Sequence, residues 1–208
     1  MGKICYIVGA GDITNTTIRI PADSFVISAD GGYMYLAENG IIPDLAMGDF
    51  DSLGYIPDNT QTMVFPCEKD YPDMMLAVLE AAKRGYDDII IYGGMGGRLD
   101  HTIGNLQMLG AFSKKGVKVR LVDDEIVVTA ITDSHLELKA RSSGTVSVFA
   151  FACKEAYGVT IQGLKYELTD SILKADEPLG VSNEFVGNPA LISVKQGTLI
   201  VIYPKEEK

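Results

Sequence analysis

The sequence changes its pattern near residue 124, and that change limits the chain to a small set of folds. Before it, short apolar runs of strand type at 4–8, 25–28, 62–65, 89–92 and 117–122 alternate with helical signals. Helices are expected over 33–38, where Asn39-Gly40 stops the run, over 73–84 and over 100–114. In the second of these, Met74, Met75, Val78, Leu79 and Ala82 recur at helical spacing, Pro72 sits at the first turn and Gly85 ends the run. Ile89-Ile90-Ile91-Tyr92 is continuously apolar, as in a strand covered on both faces. After residue 124 the helical signals stop. Runs at 126–131, 135–139, 145–151, 159–161, 166–168, 191–194 and 199–203 follow one another, separated by turn residues such as Ser142-Ser143-Gly144 and Gly187-Asn188-Pro189. Alternation followed by strands alone predicts two domains. Residues 1–124 form an α/β domain with a mostly parallel, Rossmann-like sheet, and 125–208 form an all-β C-terminal sandwich.

Composition narrows the partners. A net charge of -10 repels nucleic-acid backbones and anionic membranes over most of the surface, so neither is expected as a partner. A polyanionic substrate is accommodated only where cations reverse the local field. With only two histidines, His101 and His135, a His-rich zinc site is not expected. Cys5, Cys67 and Cys153 are widely spaced and form no Cys-x-x-Cys, which reads as buried, reduced thiols in a cytoplasmic protein, with a reactive thiol as the lesser alternative. The opening 1–9 reads as a first buried strand rather than a signal peptide, and no apolar run is long enough to span a bilayer.

The chemistry-bearing residues fall at strand ends of the first half, where α/β sheets bind ligands. Asp30-Gly31-Gly32 follows the second strand. Alone it reads as an ordinary strand-to-helix turn, although its glycines also allow a backbone to approach a ligand closely. Gly48-Asp49-Phe50-Asp51-Ser52 is sharper. In an extended segment Asp49 and Asp51 project the same way, with Phe50 turned into the core. Two carboxylates ~4 Å apart repel by about 4 kcal/mol at an effective dielectric of 20. Such a pair holds a cation, or one member takes up a proton; a solvated turn with two surface acids is the competing reading. The apolar flanks Leu45-Ala46-Met47 and Phe50 favour a buried edge. Lys69 is placed to meet phosphate as a point charge, and Asp73 also reads as an ordinary helix-start acid.

Gly93-Gly94-Met95-Gly96-Gly97-Arg98-Leu99-Asp100-His101 follows a strand and opens a helix, with Asn105 one turn on. Its amides can cradle phosphate oxygens and Arg98 offers a planar fork. It is neither a Walker A loop nor the dinucleotide fingerprint, and a flexible loop capped by Asp100 is the competing reading. His101 alone reads more simply as a capping or core histidine.

In order and spacing these segments resemble the thiamin pyrophosphokinases. The resemblance also takes in Pro43-Asp44, Lys69-Asp70-x-x-Asp73, and the C-terminal Gly163-Leu164-Lys165-Tyr166-x-Leu168 and Val181-Ser182-Asn183-Glu184-Phe185. It implies transfer of pyrophosphate from ATP to thiamin, giving thiamin diphosphate and AMP, with Mg²⁺, in a homodimer that holds thiamin between protomers. It further implies that Asp49, Asp51 and Asp73 hold the metal and are catalytic, with Arg98 and Asp100. Asp30, Gly31, Lys69, Gly96, Arg98, His101 and Asn105 are implied to bind ATP, and Asp100, Ser182 and Asn183 thiamin. One position departs from the family, which usually has Thr where this chain has Pro72, a residue with neither hydroxyl nor N–H.

Overall fold

The structure, a computed structural model, describes residues 3–13, 17–51 and 53–206; Ser52 therefore lies outside the described residues. The chain divides into two compact units. The first comprises 1–106 with 121–124, and the second comprises 107–120 with 125–208.

The first unit is built on a parallel sheet. Its strands are β1 (Ile4–Val8), β2 (Phe25–Ala29), β3 (Leu45–Gly48), β4 (Gln61–Val64) and β5 (Asp88–Tyr92). They pair in the order β4-β3-β2-β1-β5, every pair parallel. β3 is buried throughout and β1 over its last four residues, as expected of strands covered on both faces. Helices α1 (Gly32–Glu38) and α2 (Asp73–Lys83) supply part of that cover. α2 buries Met74, Ala77, Val78 and Ala81, one face at spacings of three and four. Pro72 occupies its N-cap with ψ 153°, and the Pro72 carbonyl accepts from the Leu76 N–H at 3.1 Å. The helix thus starts cleanly without a capping side chain.

α3 (Leu99–Ser113) and β6 (Lys118–Val122) are each shared by the two units as residues are assigned. In the second unit, β7 (Ile126–Thr132), β9 (Thr145–Ala150), β12 (Asn183–Glu184) and β14 (Thr198–Pro204) pair antiparallel in the order β12-β9-β14-β7. A second antiparallel sheet has the order β11-β10-β13-β8, from β8 (His135–Leu138), β10 (Glu155–Gln162), β11 (Leu168–Lys174) and β13 (Ala190–Ser193). Alternate residues of both sheets form one core, including Val146, Val148, Ile161, Leu173, Ile192, Leu199 and Val201. Among the described residues after 124 there is no helix.

Two expectations need correction. Residues 45–48, expected only as apolar flanks of the acidic segment, form a strand. The expected strand at 166–168 lies instead at Leu168–Lys174, an edge strand with register shifts and a left-handed residue at Asp170. No helix among the described residues is long and apolar enough to cross a membrane.

Candidate active site

The carboxyl ends of the five parallel strands present the acidic and glycine-rich segments. β2 runs into Asp30 and Gly31, β3 into Asp49, β4 into Cys67 and Lys69, and β5 into Gly93. Asp49 and Asp51 come together, but not as members of an extended strand. Phe50 is left-handed at φ 58° and buried beside Tyr33 and Ala46, and the N–H groups of Leu53 and Gly54 both donate to its carbonyl. The chain therefore turns at Phe50, and the Asp51 N–H donates to Asp49 Oδ1 at 3.2 Å. A Cβ on Gly48 would lie 3.1 Å from Asp30 Cα, so a larger residue at this strand end would crowd Asp30.

Lys69 ties this turn to helix α2. Its Nζ lies 3.3 Å from Asp49 Oδ2 and 2.9 Å from Asp73 Oδ1, with all three side chains largely buried. Burial alone lowers an ammonium's pKa, but Asp73 and Asp49 outweigh it and hold Lys69 above its ordinary value. Asp49 is held below the usual carboxylate range, chiefly by the Asp51 N–H and then by Lys69. Cys67, expected as a buried thiol, is instead exposed, because it follows the sheet-edge strand β4, and it donates its S–H to Asp51 Oδ2 at 3.0 Å. That carboxylate raises the thiol's pKa. Donor atoms of Asp49, Asp51 and Cys67 lie within 4.8 Å of one another.

The glycine loop after β5 packs against residues 9–12, also not singled out from sequence. The Gly11 N–H donates to the Gly93 carbonyl at 3.0 Å. A Cβ on Gly93 would fall 2.4 Å from the Gly9 carbonyl oxygen, and Gly93 is left-handed at φ 65°. Asn105 donates to the Gly94 carbonyl at 2.8 Å and so anchors the loop to α3. Gly96 and Gly97 are exposed and left-handed. The Arg98 fork closes on Asp100, with Nη2–Oδ2 at 2.6 Å and Nε–Oδ1 at 3.2 Å. That pair holds Asp100 down at about 2. The exposed His101 lies in the first turn of α3, its N–H donating to Asp100 Oδ1 at 3.0 Å.

The last two candidates lie in the second unit. Ser182 is left-handed at φ 59°, and its N–H donates to Ser147 Oγ. Asn183 is buried and its amide is engaged at both ends. Oδ1 accepts from the N–H groups of Tyr166 and Glu184, and Nδ2 donates to the Tyr166 carbonyl at 2.7 Å. Its evident work is to fix the backbone around Tyr166. An apolar cleft of about 210 Å³ lies there, lined by Tyr166, Leu168, Leu179 and Val181 among others.

Comparison with known proteins supplies the family. The model of the thiamin pyrophosphokinase catalytic domain matches residues 19–121, and that of the thiamin pyrophosphokinase vitamin B1 binding domain matches 134–199. The thiamine pyrophosphokinase of Bacillus subtilis is 31% identical over 182 residues, covering 85% of each chain. A crystal structure of a thiamine pyrophosphokinase from Bacillus subtilis superposes with a TM-score of 0.85 at 29% identity, covering 99% of this chain and 100% of that one. One from Geobacillus thermodenitrificans gives 0.82 at 26% identity, covering 99% of both. With both domain models matched in order and a relative above 30% identity along most of its length, this chain belongs to the thiamin pyrophosphokinase family.

Proposed function

We propose that the protein transfers a pyrophosphoryl group from ATP to thiamin, producing thiamin diphosphate and AMP. The observation that carries this reading is the convergence of Asp49, Asp51, Lys69, Asp73 and the Gly93–Arg98 loop at the carboxyl ends of one parallel sheet, in a chain of this family.

Mg²⁺ fits the donor set. A cationic group, the Lys69 ammonium, already lies between Asp49 and Asp73, and Asp51 presents a further carboxylate beside Asp49. Asp49, Asp51 and Asp73 are the residues that would hold the ion. When bound, it neutralises charge on the polyphosphate. The chain's own groups then have positioning work. The glycine loop offers backbone N–H groups to phosphate oxygens, and Arg98 exchanges the Asp100 carboxylate for phosphate. Asp30, Gly31 and His101 border the nucleotide, while Asn105 holds the loop in shape. The hydroxyethyl oxygen of thiamin attacks the β-phosphorus in line and AMP leaves. Once Arg98 has turned to phosphate, Asp100 is released from the partner that holds it low, and in this reading it orients thiamin and takes the proton of its hydroxyl.

The second unit is the thiamin-binding part of this proposal. Ser182 contacts thiamin, Asn183 shapes the segment that carries Tyr166, and the cleft beside Tyr166 receives apolar ring surface. A homodimer holding thiamin between its protomers, working in the cytoplasm, completes the reading. The test is an assay of AMP release from ATP and Mg²⁺ with and without thiamin. AMP that forms only with thiamin supports the proposal. AMP formed equally without it points to another acceptor, and thiamin binding without AMP points to a sensor.

A further inference from the structure

We propose that Lys69 is a built-in counter-cation that couples metal loading to nucleotide loading. The inference rests on the functional reading above and concerns the order in which that site fills. Lys69 Nζ bridges Asp49 and Asp73 at 3.3 and 2.9 Å, from a side chain that is only 13% exposed. Asp49 leaves β3 and Asp73 opens α2, so the ammonium joins two elements as well as two carboxylates. Without a cation between them, the part-buried carboxylates of Asp49 and Asp73 would repel one another, with the exposed Asp51 adding further negative charge beside Asp49.

A divalent ion that uses Asp49 and Asp73 competes directly with this ammonium. An unpaired ammonium at this part-buried position is disfavoured by desolvation, so another anion that receives Lys69 eases its departure from the carboxylates. The polyphosphate of the nucleotide is that anion. Nucleotide binding draws Lys69 off the carboxylates and opens them to the metal, and metal binding releases Lys69 towards phosphate. The two affinities must then rise together by the same factor, since linkage is reciprocal. The arrangement disfavours a metal-loaded site in the absence of nucleotide. Lys69 is thus a positioning residue whose effect reaches the substrate through the occupancy of Asp49 and Asp73.

The test measures Mn²⁺ binding by the electron paramagnetic resonance signal of the free ion, with no catalysis involved. Wild type, Lys69→Met and Lys69→Gln are compared with and without α,β-methylene-ATP, a nucleotide whose scissile bridge is blocked. Lys83→Met, which removes the same charge elsewhere on α2, is the control for net charge. Circular dichroism verifies that each variant is folded. The expected result is nucleotide-free Mn²⁺ binding tightened by roughly tenfold or more in both Lys69 variants, within the usual range of coupling. Wild type should gain more from the nucleotide analogue than either Lys69 variant, and Lys83→Met should behave as wild type. Unchanged or weaker nucleotide-free binding in both Lys69 variants overturns the inference, and so does an equal gain in Lys83→Met. Mn²⁺ binding that is alike in wild type and the Lys69 variants removes the coupling but leaves the metal site standing. No Mn²⁺ binding by any protein, even with the analogue, overturns both the metal-site reading and this inference.

Discussion

At the scale of single residues, charge is balanced locally. Asp49 shares Lys69 with Asp73, Asp51 accepts from Cys67, and Asp100 closes on Arg98. Replacing Asp51 by Asn should lower turnover by orders of magnitude while the circular dichroism spectrum stays native, because an exposed carboxylate is changed without loss of volume. The same variant removes the charge that does most to raise the Cys67 pKa. Its thiol should react faster with a disulfide reagent at a fixed, mildly alkaline pH than the wild-type thiol does. Asp100 gives the pH prediction. Its folded pKa of about 2 lies below the ordinary carboxylate range, so its contribution to stability is present above that range and is lost as pH falls through about 2. Arg98→Met should raise the Asp100 pKa towards the ordinary range, with the His101 N–H still holding it below, read by nuclear magnetic resonance titration of its side-chain carboxyl carbon. The pairing of Asp49 with Asp51 was legible from their spacing, but the backbone between them was not. An extended segment was the natural reading of Asp-Phe-Asp. Burial of Phe50 beside Tyr33 and Ala46 instead accompanies a left-handed turn.

At the scale of elements, long periodic segments were readable and short or contact-defined ones were not. α2 and the buried core of β5 follow from spacing and apolar continuity. β3 has four residues and ends in glycine, so its identity depends on parallel pairing with β2 and β4. That pairing also explains Cys67. Met47 and Gly48 stand beside Met63 and Val64, which brings a thiol sixteen positions away in sequence up to Asp51. Nor does sequence show that Gly9 and Gly11 lie against Gly93, since their closeness belongs to two loops meeting at the ends of β1 and β5. Gly93→Ala should therefore be costly twice over, through its left-handed φ and a Cβ 2.4 Å from a backbone oxygen. It should depress nucleotide affinity in a fluorescent-nucleotide titration more than Gly97→Ala, whose Cβ meets nothing within 4 Å. β11 was misplaced because an exposed edge strand with a polar Thr-Asp-Ser centre carries little alternation. In the β-sandwich, Ile192 is fully buried in the shared core. Ile192→Ala should destabilise that unit by about 2–5 kcal/mol in denaturant titration.

At the scale of the molecule, the change from alternating to all-β pattern was the most legible property of the chain. It anticipates a parallel-sheet unit followed by an antiparallel β-sandwich. The likeness of the whole chain to thiamin pyrophosphokinase structures agrees with that order. The chemistry assigned to it depends on which phosphorus is attacked, and position-specific labelling decides that directly. The protein is incubated with thiamin, Mg²⁺ and ATP labelled at either the α- or the γ-phosphorus, and the products are separated. α-Label should appear in AMP and γ-label in thiamin diphosphate. Recovery of α-label in ADP, with γ-label in thiamin monophosphate, would contradict that chemistry.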